Sequence, residues 1–184
     1  KGPVLFTQKR VGKNKKPFNI YKFRTMRTDA PKSCPSNSLQ NPDMYFTGIG
    51  RFLRATSLDE LPQLINILFG QMSFIGPRPV IEEEVELIAE RDKYNANSIN
   101  PGLTGWAQVN GRDMLTPEIK ARYDGEYVKK VSFCFDVKIF FITIIKVING
   151  DGINEHFARK NKKTSQKSES TTNDPHMKIA LKDR

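Results

Sequence analysis

Asp59 and Glu60 are adjacent carboxylates in Arg54-Ala55-Thr56-Ser57-Leu58-Asp59-Glu60-Leu61-Pro62-Gln63-Leu64, preceded by an arginine and followed by a helix-breaking proline. Two such side chains at the start of a helix can hold a divalent cation, and a carboxylate there can also be a covalent nucleophile toward phosphorus. The same residues have a plainer use. Ser57 followed by Glu60 spells a capping box, in which hydroxyl and carboxylate each satisfy a free backbone donor, and Asp59 suits a helix's first turn. A second cluster is Met72-Ser73-Phe74-Ile75-Gly76-Pro77-Arg78-Pro79, where two prolines fix the backbone on both sides of Arg78. A guanidinium presented with so little entropy to lose suits a phosphate or carboxylate clamp, although a turn with a surface arginine reads the same way. A third runs from Asn100 to Arg112, with Gly102, Gly105 and Gly111 permitting close backbone approach or positive φ, and with Asn110-Gly111 as a turn that puts Arg112 at a loop edge. Trp106 in this stretch reads as core rather than site.

The elements that must position these residues follow from periodicity. Val4 to Val11 and Phe18 to Thr25 read as two strands joined by Gly12-Lys13-Asn14-Lys15-Lys16-Pro17, a hairpin whose loop presents lysines to solvent. Thr28 to Thr47 is a long loop rich in Pro, Ser, Asn and Asp. Gly48 to Phe69 carries apolar residues at a helical period interrupted at Pro62. Helices are expected over Val80 to Tyr94, with Glu82, Glu83 and Glu84 at the positive end, and over Thr116 to Lys130. Ser132 to Asn149 is a strongly apolar stretch that forms either a buried helix or one lying in a membrane surface. The fold class is therefore α+β, a small antiparallel hairpin with several helices. Residues 1–154 form the domain, and 155–184, rich in Lys, Ser, Thr and Asn, form a flexible basic tail.

Composition narrows the classes of function. The 184 residues carry 30 Lys+Arg against 20 Asp+Glu, a net charge of +10 that favours phosphate-bearing partners. Residues 1–27 contain Lys1, Lys9, Arg10, Lys13, Lys15, Lys16, Lys22, Arg24 and Arg27 and no acid, an electrostatic footprint at one end. Cys34, Cys134, His156 and His176 have no ligand spacing, which argues against a zinc site or a disulfide framework and fits a reduced compartment. The longest apolar run, Val137 to Ile148, contains Lys138 and Lys146 and is too short to span a bilayer. Gly48-Ile49-Gly50 is not a dinucleotide fingerprint, and no GxxxxGK[ST] loop is present. Neither histidine is placed for a buried Ser/His/Asp triad. The opening residues read as a turn entering a strand, so the chain is expected to begin inside a longer protein.

Taken together, the segments resemble the bacterial sugar transferase family, the monotopic phosphoglycosyl transferases that start glycan assembly on a polyprenyl phosphate. The matching pieces are Gly2 to Phe6 with Gln8 to Gly12, Lys22 to Met26, Gly48 to Leu68, Met72 to Pro79, Pro101 to Arg112 and the stretch holding Tyr127, Ser132 and Asp136, in the family's order over about residues 1–153. The resemblance implies a membrane-associated catalytic domain acting on a nucleotide diphosphate sugar, usually a UDP-sugar, at the cytoplasmic face of the bacterial cell membrane. Asp59 would attack the β-phosphorus, release UMP and carry the phosphosugar until polyprenyl phosphate takes it. Glu60 would hold Mg2+ with Asp59 or assist it, and Arg54, Arg78 and Arg112 would contact phosphate. Downstream glycosyltransferases are implied partners, and nucleic acid is not. Members carry an apolar membrane-entering helix just before the block that opens this chain.

Two rival readings have their own signatures. A nucleic-acid module would explain the charge and the basic hairpin but gives no role to Asp59-Glu60 or to Arg78 between its prolines. A non-catalytic membrane scaffold would use the basic face and Phe133 to Ile148 to dock, and the loss of the Asp59 charge would change nothing in it except helix stability.

Overall fold

Alternation along the first strands decides what the hairpin buries. In this computed structural model, which describes residues 2–30, 44–111 and 114–149, β1 (Leu5–Val11) pairs antiparallel with β2 (Pro17–Phe23). Phe6 faces Lys22, Gln8 faces Ile20 and Arg10 faces Phe18. These residues share one face because side chains repeat every two positions. That face is the inner one, with Ile20 at 2 % exposure. Lys13, Lys15 and Lys16 project from the loop into solvent, as expected.

α1 (Gly48–Ala55) starts where Thr47 meets the end of the hairpin. The Thr47 amide donates to the Thr25 carbonyl at 3.0 Å, and its hydroxyl accepts from the Gly50 amide at 3.0 Å. A Cβ on Gly50 would lie 2.0 Å from the Thr25 oxygen, so only glycine permits this approach. A tight helical turn at Leu58–Glu60 leads to α2 (Gln63–Leu68). The break in this region falls at Thr56 and Ser57, not at Pro62. Pro62 stands at the start of α2, where its fixed φ suits a first turn and its missing N–H leaves no partner unsatisfied.

β3 (Ser73–Ile75) and β4 (Gly102–Thr104) form a short parallel pair that periodicity did not predict, since three residues are too few to show a period. A Cβ on Gly102 would stand 2.2 Å from the Gly76 amide nitrogen. Gly102→Ala is therefore expected to lower stability by about 1–3 kcal/mol or more in urea unfolding, because backbone rather than a movable side chain is in the way.

α3 (Val85–Asp92) is shorter than the expected helix over Val80 to Tyr94. Val80 and Ile81 are each 4 % exposed. The Val80 carbonyl accepts from the Val11 amide at 2.9 Å, tying this segment to the hairpin instead of to a helical turn. Glu82 and Glu83 consequently precede the helix. After α4 (Trp106–Val109), α5 (Pro117–Lys130) and α6 (Phe133–Ile148) follow their expected spans, capped by the hydroxyls of Thr116 and Ser132. The Tyr127 hydroxyl donates to Asp136 Oδ1 at 2.9 Å and lies 3.3 Å from the Ile75 carbonyl, joining α5, α6 and β3. Ile75, Val109, Tyr127 and Ile139 make one core with Trp106 packed on it, and Val80, Leu87 and Ala121 make a second.

The architecture is α+β, with helices and two two-stranded sheets. No described helix is long and apolar enough to cross a membrane. α6 buries Ile139 alone, while Phe133 is 83 % exposed and Ile148 77 %. Arg112, His156, His176, Cys34 and the 155–184 tail lie outside the described residues.

Candidate active site

The carboxylate pair is positioned from two directions. From the helical side, Asn66 is fully buried. Its Oδ1 accepts from the Tyr21 amide at 3.1 Å, and its amide donates to the Asn19 carbonyl at 2.8 Å and to Gln71 Oε1 at 2.7 Å. These bonds pin α2 to β2 and set the Leu58–Glu60 turn beside Lys22. From the other side, Arg91 and Asp124 form an ion pair at 2.7 Å in the second core, 5 % and 1 % exposed. Arg91 Nη1 also donates to the Arg78 carbonyl at 3.0 Å. With Pro77 and Pro79 buried on either side, this fixes the backbone from which Arg78 projects.

Ser57 does not form the expected capping box. It adopts φ 58°, ψ 14°, and its side chain caps nothing; the Glu60 amide donates instead to the Ser57 carbonyl at 3.2 Å. The left-handed conformation at Ser57 redirects the chain between α1 and the Asp59-Glu60 turn. The Glu60 carboxylate reaches across the fold. Its Oε1 accepts from Lys22 Nζ at 2.7 Å and from Arg78 Nη2 at 3.3 Å.

Asp59 is 8 % exposed and makes no side-chain hydrogen bond among the described residues. Burial pushes its carboxyl above the ordinary aspartate range. Lys22, Arg54 and Arg78 pull it down, and Glu60 adds to the upward push. Burial likewise pushes the Lys22 ammonium down, against the attraction of Glu60. An ionised carboxylate that is short of hydrogen bonds and surrounded by cations is a nucleophile held beside the charges that would receive an anionic electrophile.

The structure thus gathers Asp59, Glu60, Arg54 and Arg78. Arg54 acts electrostatically on Asp59 while its guanidinium lies 5.1 Å from the centre of the Phe46 ring. A small cavity beside the pair is lined by Arg10, Ile20, Lys22, Glu60, Gln63, Arg78 and Pro79. Lys22, Arg10 and Gln63 were not among the residues expected from sequence. Strand alternation carried the signal for the first two, because Arg10 and Lys22 are in phase with Phe6 and Ile20 on the inner face.

Asp59 and Glu60 stand without a third acidic, histidine or cysteine ligand among the described residues. That donor set fits Mg2+, which usually takes one or two carboxylates and completes its octahedron with phosphate oxygens and water.

Comparison with known proteins adds identity to this geometry. The family model described as bacterial sugar transferase matches residues 1–150. The chain is 42% identical over 153 residues to the uncharacterized sugar transferase EpsL of Bacillus subtilis, an alignment covering 83% of this chain and 74% of that protein. It is 40% identical over 158 residues to the UDP-glucose:undecaprenyl-phosphate glucose-1-phosphate transferase of Escherichia coli, covering 79% of this chain and 32% of that protein. It is 36% identical over 165 residues to the undecaprenyl-phosphate galactose phosphotransferase of Salmonella typhimurium, covering 82% and 34%. The chain therefore spans three quarters of the Bacillus protein and about a third of the other two.

Proposed function

The chain belongs to the bacterial sugar transferase family, and on that premise we propose that it is a phosphoglycosyl transferase, moving a phosphosugar from a UDP-sugar to undecaprenyl phosphate and releasing UMP. The observation that carries this reading is the buried Asp59 carboxylate, unbonded by other side chains among the described residues and under the influence of Lys22, Arg54 and Arg78. An Asp59 oxygen attacks the β-phosphorus. A new carboxyl oxygen–phosphorus bond forms, the bond from phosphorus to the bridging oxygen breaks, and its electron pair leaves with UMP. An oxygen of undecaprenyl phosphate then attacks the same phosphorus, and the carboxylate is regenerated as the leaving group. Arg78 and Arg54 orient and neutralise the phosphates, with Arg112 as a further contact. Glu60, held by Lys22 and Arg78, keeps those cations in place. Asp59 and Glu60 would hold Mg2+, which when bound supplies additional charge neutralisation to the diphosphate.

The exposed apolar residues Phe52 of α1, Leu68 of α2, Phe69 just after it and Phe141 of α6 support docking on the cytoplasmic face of the cell membrane, where a lipid-linked acceptor resides. Downstream glycosyltransferases would then consume the lipid-linked product.

The test is UMP release from a panel of UDP-sugars with Mg2+ and undecaprenyl phosphate. Sugar-dependent release that requires both supports the reading, and a folded, vesicle-bound protein that releases none contradicts it. Acidity provides a further check. Only ionised Asp59 attacks, and its carboxyl titrates above the ordinary aspartate range. In the metal-free protein, Asp59 is accordingly expected to titrate above the pH at which an exposed aspartate does, about 3.9, when its carboxyl is followed by NMR, and a titration at or below that value would contradict the burial assigned to it.

A further inference from the structure

Two buried donors beside the carboxylate pair have no role in the reaction as described. Arg10 Nε and Gln63 Nε2 are sealed from solvent and have no hydrogen-bond partner among the described residues. Gln63 is 2 % exposed, and both side chains line the cavity shared with Lys22, Glu60 and Arg78. Buried donors of these kinds are nearly always paired, so two orphans on one cavity point to an acceptor from outside the chain. Charge narrows its chemistry. Arg10, Lys22 and Arg78 oppose Glu60 as the single acid of the cavity lining. Burial and the neighbouring Arg78 together lower the Arg10 guanidinium to about 10, a state that an approaching anion would relieve. The Arg10 side chain is also held in place, with Nη2 donating to Gln8 Oε1 at 2.7 Å while Nε remains unbonded.

We propose that Arg10 and Gln63 form a phosphoryl-oxygen subsite next to the Asp59-Glu60 turn, the Arg10 Nε–H and the Gln63 amide both donating to one phosphate group. The inference rests on the phosphoryl-transfer reading and extends it to residues on β1 and α2. Two phosphates of that reaction share the required chemistry, the nucleotide's and the lipid acceptor's.

The experiment titrates the full chain calorimetrically with inorganic pyrophosphate, UMP and farnesyl phosphate, as wild type and as Arg10→Gln, Arg10→Lys and Gln63→Glu. Thermal unfolding of each variant reports whether it folds, and Gln63→Glu preserves side-chain size should Arg10→Gln fail to do so. Pyrophosphate affinity is expected to fall by about tenfold or more in Arg10→Gln and Gln63→Glu, and by less in Arg10→Lys, which keeps the charge but not the planar fork. Whichever of UMP and farnesyl phosphate weakens in parallel identifies the phosphate that is bound. Wild type that binds no pyrophosphate, or folded variants that bind it as well as wild type does, would overturn the proposal. Arg10-dependent pyrophosphate binding by a protein that releases no UMP from any UDP-sugar would leave the subsite standing and remove the reaction assigned above.

Discussion

Asp59→Asn is expected to lower UMP release by about three orders of magnitude or more while leaving the fold intact. The carboxamide is nearly isosteric with the carboxylate but offers no anionic oxygen to phosphorus, so the loss belongs to chemistry rather than to shape. Stability should move the other way. Burial raises the Asp59 carboxyl in the folded chain above its unfolded value. The folded state therefore holds this proton more tightly, and the contribution is present below the unfolded value and lost as pH rises through the folded one. Above that folded value the ionised carboxylate works against folding, and there Asp59→Asn should unfold at equal or higher urea concentration than wild type. That advantage should vanish as the pH falls below both values. A scaffold would show the stability change and no functional loss, which separates it from the enzyme.

Asp124→Ala carries the second large effect. Its carboxylate accepts from Arg91 Nε at 2.8 Å in a region where Arg91 is 5 % and Asp124 1 % exposed. Removing it strands a buried guanidinium, at a cost of about 3–5 kcal/mol in urea unfolding. Burial pushes the Asp124 carboxyl up while Arg91 holds it down. A pair so placed contributes less net stability than its breakage suggests. The double variant Arg91→Met, Asp124→Leu should recover most of the lost stability, because an apolar pair of similar volume avoids desolvating two charges. It should not recover turnover, since Arg91 no longer donates to the Arg78 carbonyl and the arginine loses its fixed base. Recovery of both together would show that the pair serves packing alone.

Helices with local signals were legible in the sequence. α5 and α6 begin at Thr116 and Ser132, whose side chains cap amides just inside each helix, so their bounds are written in neighbouring residues. Elements fixed by distant partners were not. The segment at Val80 leaves its helical pattern because Val11 bonds it, and the parallel pairing of Ser73 with Gly102 has no local signature. Within the site, Asp59, Glu60 and Arg78 stood out by composition and by flanking prolines, whereas Lys22 looked like one more surface lysine. Its partner Glu60 is 38 positions away, and strand phase was the available clue. The capping box at Ser57 failed for a related reason, since Glu60 serves Lys22 and Arg78 rather than its own helix end.

A covalent phosphosugar on Asp59 is the intermediate proposed above, and intact-protein mass spectrometry after mixing with the preferred UDP-sugar, without lipid acceptor, detects it as a change in mass. The expected result is a mass increase of one phosphosugar accompanied by stoichiometric UMP, absent in Asp59→Asn and discharged on adding undecaprenyl phosphate. Release of UMP only when the lipid is present, with no adduct at any time, would mean direct displacement and would contradict Asp59 as the nucleophile.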